Sequence, residues 1–510
     1  MERELTRRGL LASGGSLFAG SAVASVAGAA AVGSAADPPP LRWSETYDGA
    51  TTDTVQDALR TDDGNYVVVG QSGEGTDSVR PWAFSIDERG RPRWQRRVDT
   101  DDPAGFNAVV ETDDGGYLLA GYRGRPTTGQ EPLFVKLNAG REVQWRRTVE
   151  SPREGGNVAS LVSAGDGQYV AAGLARGGTV LDVSGWIFGI DGAAERQWSE
   201  TYGPRHTNYV ASLAETGDGG YVVGGGTRAE STEDDSQPPF FGWLFEVDGE
   251  GSQRWSTTYR ESTDGTDHQM NFFYGVYATD SGYLAAGGTS RELLGSQRGW
   301  VLSVGGDGER RGQLQTQPAD MDVAQFQDIR PFEDGYALVG VARASASDPA
   351  TVWAAGIDGE LSRQWSATEQ FANGSQAITA LGTEDDGLLV VGNANVEGGQ
   401  TSTDALAVKL GGDPVPTATP GATTTETRSP TATPSPTPSP TPTPSPTLTS
   451  APSATETASG ADPSPTEGGD AETTAGDGAG FGIGAALAAL GGGALLRQTH
   501  AASGDESDET

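Results

Sequence analysis

The chain has no cysteine. That excludes disulfides, thiolate metal sites, a thiol nucleophile and a lipid-modified cysteine anchor. Histidine is nearly absent, with 3 residues in 510: His206, His268 and His500. His500 lies in the tail, and the other two are isolated loop residues, so no Ser-His-Asp grouping can be assembled from sequence. Positive charge is scarce. Lys and Arg number 34 against 70 Asp and Glu, giving a formal net charge of -36. Lysine occurs only at Lys136 and Lys409. So acidic a chain repels phosphate backbones, which argues against a nucleic-acid binder. Its self-repulsion opposes a compact state unless salt screens it. The composition suits very salty water and a halophilic archaeal source.

Glycine is abundant, with 75 residues, about twice the usual share. Its placement is periodic. In Thr216-Gly217-Asp218-Gly219-Gly220-Tyr221-Val222-Val223-Gly224-Gly225 a polar turn leads into a short apolar strand ending on glycine. The same unit recurs as Tyr66/Gly70, Tyr117/Gly121, Tyr169/Gly173, Tyr221/Gly225, Tyr283/Gly287, Tyr336/Gly340 and Leu388/Gly392. A period of about 50 residues with several short strands per unit indicates a propeller or array. A second marker is an apolar strand, Asp or Asn, then Trp: Asp87/Trp94, Asn138/Trp145, Asp191/Trp198, Asp248/Trp255 and Asp358/Trp365. After Trp300 the marker degenerates to Gly305 with no Trp following, and a looser seam is expected there.

Each unit reads as four strands, because alternating or wholly apolar runs of strand length are bounded by Gly and Asp. The first strand, around Trp43, has no marker before it. The last unit ends at Leu406–Leu410 with no Trp strand after it. Pairing Trp43 with Val408 would close the ring and remove exposed edges. The expected fold is all-β: a seven-bladed β-propeller of four-stranded antiparallel blades closed by the N-terminal strand, with a disordered stalk and a C-terminal apolar helix.

The repeat domain spans 37–412. Before it, 1–36 reads as a targeting segment: Thr6-Arg7-Arg8-Gly9-Leu10-Leu11 resembles a twin-arginine export signal, and small residues before Asp37 suit signal-peptidase cleavage. After it, 413–478 alternates Pro with Ser and Thr, as in Pro434-Ser435-Pro436-Thr437-Pro438. Such a segment buries nothing and stays extended, reaching on the order of 200 Å as a stalk suited to O-glycosylation. In 479–510, Gly480-Phe481-Gly482-Ile483 precedes an apolar run and Arg497. This resembles the C-terminal signal of archaeal surface proteins processed by an archaeosortase, with Ala479 where that pattern has proline and with an acidic end. A plain membrane anchor is the rival reading. Both imply an extracellular domain tethered to the membrane, with export and sorting machinery as partners.

The strand-Asp-x-x-Gly-x-x-x-Trp pattern, clearest at Asp87 to Trp94, resembles the Trp repeats of quinoprotein-type propellers, although its Asp-to-Trp spacing is one residue short. The Trp strand followed by Asp-Gly-Gly-Tyr resembles secreted propellers of unassigned role. No calcium-quinone cluster accompanies either pattern. The resemblance therefore implies a fold and no cofactor.

Two units carry extra length: Arg228 to Phe241, between a second and a third strand, and Arg260 to Phe273, between an outer strand and the next inner strand. Both kinds of connection emerge on one face of a propeller, and function concentrates on loops held by a rigid scaffold. A ligand groove is expected there. Phe240, Phe241, Phe272 and Phe273 would be its contacts, with Arg228, Glu230, Asp234, Asp235, His206 and His268 as polar partners. Asp264 and Asp267 with Asp234 and Asp235 offer oxygen donors suited to calcium. Asn373-Gly374-Ser375 is an N-glycosylation sequon. The expected role is surface binding or adhesion toward a polymer, a protein or a small ligand. The alternative is an extracellular hydrolase or quinone-dependent dehydrogenase acting at the same face.

Overall fold

A computed structural model describes residues 6–9 (backbone only), 36–75, 78–125, 129–178, 182–203, 207–228, 239–261, 270–290, 296–395 and 402–413. The chain divides into two units, and all of these residues belong to the unit containing Met1–Val415; the other, Pro416–Gly476, lies outside them. The stalk, the C-terminal segment with Gly480 and Phe481, and most of the targeting segment therefore lie outside the described residues.

The described residues form strands and turns only. Seven sheets of four antiparallel strands succeed one another, as the repeat requires. In blade three, inner strand Gly155–Gly165 pairs with Gln168–Arg176, then Val183–Asp191, then outer strand Arg196–Tyr202. Blade seven takes its outer strand from the other end of the domain. Leu41–Asp48 pairs antiparallel with Thr403–Gly411, setting Trp43 opposite Lys409 and Ser44 opposite Val408. The ring closes as the unmatched ends predicted. Thr6–Gly9 adds to the free edge of that closing strand, with Arg7 opposite Tyr47.

Every inner strand has a β-bulge at one register, at Val55/Asp57 in blade one and at equivalent positions through Ala377/Thr379 in blade seven. The bulge accounts for the periodic glycine. A Cβ built on Gly70, Gly121, Gly173, Gly225, Gly287, Gly340 or Gly392 would stand 1.8–2.1 Å from a carbonyl oxygen of the inner strand. Gly225→Ala is expected to cost about 1–3 kcal/mol or more, because backbone must move. Gly217→Ala, with nothing within 4 Å, should stay within about 0.5 kcal/mol. Equal denaturant midpoints for the two variants would refute the clash.

The core lies between blades. The largest fully buried side chains include third-strand Trp82, Trp186, Trp300 and Trp353, which the repeat reading did not single out. Trp186 stacks on Phe188 at 4.0 Å, and its indole N–H donates to Ser199 at 2.9 Å on the outer strand. Most outer-strand tryptophans are half-buried and cover the turn of the next blade. Trp43 lies against Gly90, Trp198 against Gly251 and Trp255 against Gly308. Nearby, Tyr47 donates to the Gly90 carbonyl at 2.8 Å and Tyr259 to that of Gly308 at 2.7 Å.

The degenerate blade keeps this packing by exchange. Gly312 stands where the Trp would, and Leu361 of the next turn lies 3.5 Å from the position of its absent Cβ. Leu361 accepts a positive φ of 63° and is 7% exposed. At three other seams glycine lies beneath tryptophan; here leucine lies over glycine, so the expected looseness is filled.

Candidate functional site

The two faces differ chemically. One carries the inner-to-second and third-to-outer turns, which are short and internally bonded. Thr112, Thr216 and Thr383 donate to Asp114, Asp218 and Asp385 at 2.5–2.6 Å. Both lysines are buried and bond to these turns, Lys136 to Asp114 at 2.7 Å and Lys409 to Asp385 at 2.6 Å. The aspartates are thus engaged in turn chemistry. The opposite face carries the second-to-third and outer-to-inner connections, here called the loop face. Phe240 sits in register with Met270, so the ends of both extended segments meet on it.

The inner strands surround the axis. At the bulge, Gln56, Asn107, Tyr274, Gln327 and Ile378 keep part of their surface open, whereas residues two places on, such as Ala58 and Ile329, are buried. Bulges re-aim side chains in this way. Just past the bulge, Asp57 and Asp328 occupy equivalent positions. Asp57 accepts the N–H groups of Ala58 at 2.9 Å and of Val109, in blade two, at 3.1 Å. Asp328 accepts the N–H of Ile329 at 2.9 Å and of Ala380, in blade seven, at 3.2 Å, together with Thr379 Oγ1 at 2.7 Å and Arg330 Nε at 3.0 Å. Ser212 does the same for Val276 at 3.3 Å. These side chains tie one inner strand to the next.

Arg330 also stands beside Asp57. Burial pushes the Asp57 carboxyl up to about 7, against the pull of Arg330. The neighbouring carboxylate of Asp328 raises Arg330. Below them Tyr277 and Arg330 interrupt an otherwise aliphatic ring of half-buried Leu59, Val110, Val162, Ala214 and Leu381. Two carboxylates do lie in the channel, but their oxygens accept backbone N–H groups across blade seams.

Four second strands end on arginine at the loop face: Tyr117–Arg125, Gln168–Arg176, Tyr221–Arg228 and Gly335–Arg343. Arg176 and Arg228 both act on Tyr209, whose phenol burial raises and these cations restrain. Arg176 Nε is buried and finds no hydrogen-bond partner among the described residues. Arg228 lies 5.3 Å over the Phe240 ring, and Arg260 lies 4.2 Å over Phe241. Burial lowers Arg343. In so acidic a chain, cations at one repeat position in three blades, with Arg125 one residue further along in a fourth, stand out. The signal was present as arginine seven or eight residues after Tyr117, Tyr169, Tyr221 and Tyr336, and the sequence reading followed only the Arg228 copy.

The four phenylalanines expected as contacts are buried: Phe240 8%, Phe241 9%, Phe272 4% and Phe273 1% exposed. Phe272 packs on Phe240 at 4.9 Å, and Phe273 stacks on Trp300 at 4.8 Å. Phe240 and Phe241 thus lie beneath Arg228 and Arg260, and Phe272 and Phe273 belong to the buried core below. Arg228 lies at the rim above them. Glu230, Asp234, Asp235, His206, His268, Asp264 and Asp267 lie outside the described residues. Asn373 is exposed on the loop face, ahead of inner strand Ser375–Gly382.

No protein-family model and no curated protein matches the chain. Solved structures resemble it in fold alone. Sqt1 from Chaetomium thermophilum is 11% identical over 74% of this chain and 100% of that one, with a TM-score of 0.40. Drosophila Plexin A, solved with Semaphorin 1b, is 10% identical over 74% and 88%, with a TM-score of 0.44. A puromycin hydrolase is 13% identical over 71% of this chain and 55% of its own, with a TM-score of 0.45.

Proposed function

We propose that this protein is an exported binding propeller, displayed from the cell surface on a glycosylated stalk, whose loop face holds an acidic surface polymer. The observation that carries this reading is the set of second strands ending on Arg125, Arg176, Arg228 and Arg343 on the face with the extended segments. Guanidinium groups match carboxylate and sulfate oxygens in a planar two-point geometry. In molar salt the Debye length falls to about 3 Å, so the net charge no longer repels an anionic ligand at distance while short contacts persist. The channel carboxylates support catalysis less well, because their oxygens are committed to backbone groups.

An array of carboxylated, sulfated and neutral polysaccharides in molar salt tests this. The mature protein should bind the acidic set. Arg176→Gln with Arg228→Gln should weaken binding roughly tenfold or more, and Arg89→Gln on the other face should not. A preference for neutral polymers, or equal losses in both variants, would remove the reading. Cleavage or oxidation of a bound polymer would replace binding by catalysis.

A further inference from the structure

The ring closes where Leu41–Asp48 ends, the inner strand Thr52–Arg60 begins and the third strand Thr403–Gly411 of blade seven begins. Three carboxylates meet there. Asp48, Asp53 and Asp404 each present an oxygen within 4.8 Å of the others. Asp53 is 0% and Asp404 2% exposed. One oxygen of Asp53 accepts the N–H groups of Gly49 at 2.6 Å and Ala50 at 2.8 Å. Its other oxygen, Oδ1, is buried without a partner of good hydrogen-bond geometry among the described residues, and the Ser72 hydroxyl is the one side-chain donor near the carboxyl. A carboxylate oxygen so placed needs a proton or a cation, because burying unpaired charge is costly.

The surroundings favour a cation. Arg97 is the positive side chain acting on Asp53. Its Nε donates to Ser72 at 3.1 Å and its guanidinium lies 5.9 Å over Trp82. All three donors are hard oxygens, with no nitrogen or sulfur among them. Calcium takes six to eight such oxygens at roughly 2.3–2.6 Å in flexible geometry, which suits carboxylates supplied by three separate segments.

We propose that Asp48, Asp53 and Asp404 bind one calcium ion that clamps the closure seam. The ion joins the end of the closing strand to the first and last blades, three segments otherwise held by strand pairing. This site is separate from the acidic loops named from sequence and from the arginine rim.

Calorimetric titration of the EDTA-treated full chain with calcium chloride tests it, in about 2 M NaCl to screen exposed carboxylates. One ion per chain is expected, with a thermal transition that rises with calcium. Asp48→Asn changes the half-exposed member and should keep the fold while weakening binding about tenfold or more. Asp53→Asn and Asp404→Asn should abolish the calcium-dependent rise. Absence of saturable binding to the wild-type chain overturns the proposal, and so does binding that Asp48→Asn leaves unchanged.

Discussion

A chain beginning at Gly49 is expected not to form the monomeric propeller. Removing Leu41–Asp48 takes away the outer strand of blade seven and with it Tyr47, which is fully buried and bonded to Gly90 of blade one. Loss of a buried aromatic of this size alone costs about 3–5 kcal/mol, a large share of a domain's roughly 5–15 kcal/mol. The cut also bares Thr403–Gly411, buried along its whole length, as an open apolar edge. Such an edge pairs with other chains. Size-exclusion chromatography with light scattering should show oligomers or aggregate for residues 49–413 and a monomer for residues 37–413. A synthetic peptide of residues 37–48 should restore part of the monomer. A monomeric 49–413 chain with an unchanged melting temperature would mean that closure does not hold the ring.

The second large effect is expected at Arg330. Its guanidinium stands between Asp328 and Asp57 and opposes the burial that lifts Asp57. Arg330→Ala should cost about 3 kcal/mol at pH 8, the low end for breaking a buried ion pair, because its side chain is 38% open and solvent screens part of the charge. The sign with pH follows from proton linkage. Native Asp57 keeps its proton up to about pH 7, while the unfolded chain releases it near pH 4. The native state therefore binds more protons in that window, and this group's contribution to stability falls as pH rises through it. Without Arg330 the folded carboxyl moves higher still, so the variant should lose more at pH 8 than at pH 5. Denaturant midpoints at both values measure it. An equal loss at both would assign Arg330 to packing alone.

The rim and the seam show where reading by residue type stops. Phe240, Phe241, Phe272 and Phe273 looked like ligand contacts because they flank long polar stretches. The strands run further than the repeat core suggests. Arg228 pairs with Phe240 and Met270 with Ser290, which draws these rings into the core. The missing Trp after Gly305 looked like a loose seam, since nothing local shows that Leu361, in the next blade, fills the gap.

By itself the sequence determined the number of blades, the order of strands within each and the closure by the first strand. Those follow from local chemistry repeated at a fixed interval, and a glycine facing a bulge or a turn before an apolar run is legible within ten residues. Only the tertiary structure decided which side chains meet. Closing the ring brings Asp48, Asp53 and Asp404 together from opposite ends of the domain, and the packing of neighbouring blades sets Arg176 and Arg228 about Tyr209. Both arrangements depend on contacts between blades, and neither leaves a trace in the local pattern that forms a blade.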